Sequence, residues 1–66
     1  MHVIVNGEPR EVSPTTTLAD LIAELGLPAD GIAAAVDHTV VPRTQHADTP
    51  LTEGCRIEII RAVGGG

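Results

Sequence analysis

Gly64-Gly65-Gly66 stands directly behind the most β-prone run of the chain, Ile57-Glu58-Ile59-Ile60. Glycine has no Cβ, so three in succession let a backbone thread a narrow slot and adopt φ values closed to other residues. Such a tail would deliver one reactive group, the carboxylate expected at Gly66. A terminal carboxylate titrates near pH ~3.5, so at neutral pH it is ionised and a poor electrophile. Acyl transfer from it requires a leaving group, which an adenylate supplies. The sequence contains no lysine and no glycine-rich phosphate loop, so a partner is expected to hold the ATP. The bland alternative is a frayed terminus, as chain ends commonly are.

The other reactive side chains carry weaker signals. Cys55 is the single cysteine, which excludes an internal disulfide. It follows Glu53-Gly54 with no lysine or histidine base near it in sequence. A small, semi-buried filler is therefore favoured over a nucleophile. His2, His38 and His46 match no common metal-ligand spacing. Arg43 is a candidate to grip a partner, or equally a loop-to-strand hydrogen bonder.

Composition narrows the classes further. Sixty-six residues make one small domain, which buries only about 60% of the surface its unfolded chain exposes. That suffices for one thin core and leaves no room for an internal substrate cavity. With no aromatic residue, stacking on nucleobases is excluded. A formal charge of −5 disfavours nucleic acid and anionic membranes as partners and suits a basic protein surface. No apolar run reaches membrane-spanning length, and no basic, apolar-cored leader is present. Cytoplasm is the expected compartment.

These groups must be positioned by a small set of elements. His2-Val3-Ile4-Val5 reads as a strand, and Asn6-Gly7 as a hairpin turn, since both types tolerate positive φ. Pro9 confines the next short strand, around Arg10-Glu11-Val12, to a sheet edge. Thr17 and Asp20 have capping-box spacing, and Leu18, Leu21, Ile22 and Leu25 follow at i, i+3, i+4 and i+7. This predicts a helix over 17–25 with one apolar face, stopped by Gly26 and Pro28. Ile32–Val36 and Val40-Val41 read as strands, 43–52 as an irregular crossover with Leu51 buried, and 56–62 as the last strand. The order is β-β-α-β-β-β. The first and last strands are the richest in Val and Ile, which suits a parallel central pair. This is the α+β plan of the β-grasp: a mixed sheet of four to five strands with one helix across one face. The domain is expected to span 1–63, with 64–66 as a flexible glycine tail.

On these residues the chain resembles the thiamine-biosynthesis sulfur carriers of the ThiS family, within the ubiquitin-like β-grasp group. The resemblance runs the whole length. It rests on Asn6-Gly7, on Thr17 through Leu25, on Ala35-Val36 followed by Val40-Val41-Pro42-Arg43, on Leu51-Thr52-Glu53-Gly54 and on Gly65-Gly66. Asp37 stands where the family often has Asn, His46 where an aromatic is usual, and Cys55 where Asp is common. The first two are expected on the loop surface. Gly64 adds a third glycine to the tail.

The resemblance implies a carrier protein, not an enzyme. An E1-like adenylyltransferase of the ThiF type would use Mg-ATP to adenylate Gly66, with no cofactor held by this chain. Sulfur from a donor such as a cysteine desulfurase would displace AMP, leaving a thiocarboxylate for thiazole synthase. Gly64 and Gly65 would thread the activating site. Alternatives are a sulfur carrier for molybdopterin or cysteine biosynthesis, and a ubiquitin-like protein modifier. Strict alternation directs Val3, Val5, Ile57 and Ile59 toward the helix and turns Ile4 and Ile60 outward. Ile4 and Ile60, expected close together near the tail, are the predicted docking face, with Arg43 the next candidate.

Overall fold

Two-residue turns and one capped helix organise the chain. The computed structural model describes residues 1–28 and 31–61. Strand β1 (His2–Val5) turns through Asn6 (φ 50°) and Gly7 (φ 84°) into β2 (Glu8–Glu11). Both central residues have positive φ, the pairing that follows the natural twist of a hairpin. Pro9 sits opposite Ile4 on β2, which is a sheet edge where a missing N–H is tolerated.

Helix α1 (Leu18–Glu24) begins as its sequence predicts. The Thr17 hydroxyl accepts the Asp20 N–H at 3.2 Å, and the Asp20 carboxylate accepts the Thr17 N–H at 3.1 Å. Each bond satisfies a donor that the first helical turn would leave open, and such a cap stabilises by about 1 kcal/mol. Gly26, at φ 72°, ends the helix. Leu18, Leu21 and Ile22 are buried, and Leu25 at the C-cap is half-buried.

Strands β3 (Ile32–Val36) and β4 (Thr39–Val41) form a second hairpin, through Asp37 (φ 50°) and His38 (φ 70°). Strand β5 (Arg56–Arg61) returns to the centre of a five-stranded sheet of order β2-β1-β5-β3-β4. It pairs parallel with β1 and antiparallel with β3. The expected parallel central pair and β-grasp topology are both present.

One expectation needs correction. Residues 43–52 are not wholly irregular: Arg43–Asp48 forms a 3₁₀ helix that packs against α1. No apolar period announces it, because it is held by backbone bonds. The N–H groups of Gln45 and Thr49 donate to the carbonyls of Pro42 and His46. The chain after it lies along the start of α1, with the Leu18 N–H donating to the Thr49 carbonyl and the Leu51 N–H to that of Thr16. Leu51 is buried, as expected.

Val3, Val5, Ile57 and Ile59 point to the helix side and join Leu18, Leu21, Ile22, Ala34 and Leu51 in one core. Burying each large aliphatic side chain contributes roughly 1.5–3 kcal/mol. Among the described residues no helix is long and apolar enough to cross a membrane. Ala62, the expected end of the last strand, and the glycine tail at 64–66 lie outside the described residues.

Candidate docking face

The helix covers one face of the sheet, and the other side is built by the opposite parity of the same strands. Register sets Ala33 across from Ile60, Ala35 across from Glu58, and Ala35 across from Val40. Small alanines in β3 leave the larger side chains on either flank standing proud. Ile60 is 64% exposed and Val40 72% exposed. Together with Ala33 and Ala35 they line a shallow concavity of about 250 Å³. An apolar patch on the surface of so small a domain is a candidate contact site, whereas scattered single residues are ordinary.

A second concavity of about 320 Å³ adjoins it toward β1, lined by Ile4, Asn6, Arg56, Glu58 and Ile60 among others. His38 and Glu58 stand between the two, with Nδ1 and Oε1 3.6 Å apart. This pair is exposed on both sides. It sets a small polar island beside the apolar patch and adds little to stability.

The predicted docking residues are therefore only partly brought together. Ile60 lies at the centre of the apolar patch. Ile4 is half-buried and registers with Arg56 and Pro9, four residues before Ile60 on β5, roughly 13 Å along a strand. The two isoleucines border one concavity and do not form the close pair expected. The reason is register: β1 meets β5 at its beginning, not at its end. Arg43 opens the 3₁₀ helix beyond β4 and lines neither concavity.

Val40, Ala33 and Ala35 are the members that sequence reading missed. Their alternation with Ala34 and Val41 is visible in the sequence. Which parity faces outward follows only once β3 is placed between β4 and β5.

The remaining reactive side chains lie away from this face. Cys55 is buried in the core at 4% exposure, consistent with a filler. His46, expected on the loop surface, is instead buried at 6% exposure. Its Nε2 lies 3.0 Å from the Val41 carbonyl, so the ring ties the 3₁₀ helix to the end of β4. An imidazole can fill an apolar slot and still satisfy a backbone group. No cluster of His, Cys, Asp and Glu able to hold a metal exists among the described residues.

Comparison with known proteins places this architecture. The family model described as the ThiS family matches residues 3–66. The sulfur carrier protein ThiS of Thermus thermophilus is 30% identical over 64 residues, covering 97% of this chain and 98% of that protein. A thiazole synthase of Paramagnetospirillum magneticum is 32% identical over all of this chain, which spans only 20% of that protein's length. The crystal structure of the thiamine biosynthesis protein ThiS from Geobacter metallireducens superimposes with a TM-score of 0.86 at 25% identity, covering both chains completely. The described fold and a family match that extends through residue 66 agree, and the chain belongs to the ThiS family.

Proposed function

We propose that this protein is a sulfur carrier for thiazole formation in thiamine biosynthesis, with Gly66 as the reacting residue. The observation that carries this reading is the family match running through Gly66, seven residues beyond Ile59 on β5. An activating enzyme of the E1-like type binds Mg-ATP and docks the open sheet face around Ile60. A carboxylate oxygen of Gly66 attacks the α-phosphorus, and pyrophosphate leaves. A persulfide sulfur then attacks the acyl carbon, AMP leaves, and a thiol cleaves the resulting S–S bond. The product is a thiocarboxylate.

The division of labour follows from what each part offers. The glycines present no side chain to obstruct a narrow channel. Ordering them costs roughly 1–2 kcal/mol for each residue fixed, which docking at the apolar patch offsets. Thiazole synthase as sulfur acceptor is supported by the similarity of this whole chain to a segment of a protein of that name.

Intact mass spectrometry tests the reading. After incubation with the activating enzyme, ATP, a sulfur donor and a thiol, the chain should gain the mass difference of one oxygen replaced by sulfur. Removal of Gly65 and Gly66 should abolish both this product and ATP–pyrophosphate exchange while leaving the melting temperature almost unchanged. Exchange that survives the truncation would exclude the Gly66 carboxylate as the reacting group.

A further inference from the structure

Asn6 does more than its turn requires. A parallel ladder between β1 and β5 runs through the Ile4 N–H to the Cys55 carbonyl and the Asn6 N–H to the Ile57 carbonyl, both at 2.9 Å. The next rung of such a ladder would take the Ile59 N–H to the Asn6 carbonyl. At φ 50° the Asn6 backbone has already turned toward Gly7. Its side chain supplies the rung instead. Oδ1 accepts the Ile59 N–H at 2.9 Å, and Nδ2 donates to the Ile59 carbonyl at 3.4 Å. The carboxamide thus stands in for a peptide group, with one acceptor and one donor on the same residue of β5.

A turn of this type accepts Asn, Asp or Gly at its first central position. Gly would offer neither bond, and Asp only the acceptor. The choice of Asn exceeds the needs of the turn, and the excess is spent at Ile59. That residue precedes Ile60, the centre of the apolar patch, and lies seven residues before Gly66.

We infer that Asn6 is a positioning residue for the carrier reaction: its carboxamide completes the pairing of β5 with β1 at Ile59, and so holds the strand that leads to the reacting residue. The inference rests on the carrier reading above. Holding that strand matters because reaction rate depends steeply on how well the reacting group is presented once docking has occurred. Asn6 spends its carboxamide on the Ile59 backbone and does not line the apolar concavity around Val40, so its contribution is expected in turnover more than in affinity.

The test uses the full chain and two variants, Asn6→Gly and Asn6→Asp, each retaining a residue that suits the turn. Hydrogen exchange at the Ile59 amide is measured with ATP–pyrophosphate exchange by the activating enzyme over a range of carrier concentrations. In Asn6→Gly the Ile59 amide should exchange faster, and kcat should fall about tenfold while KM for the carrier stays within about twofold. Asn6→Asp keeps the acceptor and loses the donor, so its Ile59 amide stays protected and its kcat falls between the other two. It also decides the matter if Asn6→Gly fails to fold. Wild-type kcat in both variants overturns the inference, as does a protected Ile59 amide in Asn6→Gly. A rise in KM at constant kcat overturns it too, by assigning Asn6 to docking. A wild-type chain that supports no exchange defeats the carrier reading itself, a result distinct from failure of the variants alone.

Discussion

Strand β5 carries two isoleucines in succession with opposite fates. Ile59 faces the helix and is buried, while Ile60 faces away and is largely exposed. The two share backbone, propensity and side-chain chemistry, so what separates them is the company on each side of the sheet. On one side α1 and Leu51 close over the strands. On the other the neighbours are alanines, one valine and the exposed His38–Glu58 pair, and no further helix among the described residues covers them. Parity along a single strand therefore divides the core from the face proposed for recognition. A substitution on one face should be read in unfolding free energy, and a substitution on the other in partner binding.

The largest effect belongs to the covered face. Leu21 is fully buried at the centre of α1. Leu21→Ala should cost roughly 2–5 kcal/mol, from lost transfer energy and the cavity left behind. That is a large share of the ~5–15 kcal/mol typical of a domain, and urea unfolding measures it. A loss under about 1 kcal/mol would mean that the covered face collapses onto any cavity it is given, and the contrast between the faces would weaken.

The next effect contrasts the two isoleucines directly. Ile59→Glu sets a carboxylate among apolar side chains and should unfold much of the population at room temperature. Ile60→Glu should leave stability within about 0.5 kcal/mol, as surface changes do. It should raise KM of the activating enzyme for the carrier about tenfold, equivalent to ~1.4 kcal/mol of docking. Equal destabilisation by the two variants would show that the far side is covered after all. Unaltered adenylation by Ile60→Glu across carrier concentrations would move the dock elsewhere, with the Arg43 end of the 3₁₀ helix as the next surface to probe.

What the sequence made legible was local. The reciprocal bonds of Thr17 and Asp20 span three residues, and residue type and spacing suffice to foresee them. Asn6-Gly7 announced its own turn for the same reason. The parallel central pair also followed, because two Val/Ile-rich strands have few other places to go. The finer details were set by contacts that residue type and spacing do not announce. Asp37 and His38, which bound the third strand in the sequence reading, adopt positive φ, a region in which both types are enriched. Their conformation is fixed by the neighbouring strand, whose Arg56 N–H donates to Asp37 Oδ1 at 2.9 Å. His46 is drawn inside by one carbonyl at the end of β4. The outward-facing alternation of Ile4 and Ile60 was legible, and their separation was not, since a one-dimensional pattern gives parity without register.

That register yields the smallest and sharpest expected difference, between Ile4 and Val40. Sequence alternation alone centres the dock on Ile4 and Ile60. The exposed apolar concavity centres on Ile60, Ala33, Ala35 and Val40, with Ile4 at the margin beside Arg56, and the proposed dock is placed there. A glutamate at position 4 would face the Arg56 guanidinium across the parallel pair, an exposed ion pair that offsets about 0.2–1 kcal/mol of any loss. A glutamate at position 40 would meet no such cation across its register, since its partner there is Ala35. Val40→Glu should therefore raise KM for the carrier more than Ile4→Glu does, by about twofold to fivefold (~0.4–1 kcal/mol). Both should leave the urea midpoint nearly unchanged. The comparison is best made at low and high salt, because the ion pair protecting Ile4→Glu weakens as charges are screened, so the gap between the variants should narrow at high salt. The reverse order, with Ile4→Glu the more damaging at both salt concentrations, would return the centre of the dock to the β1 side of the sheet.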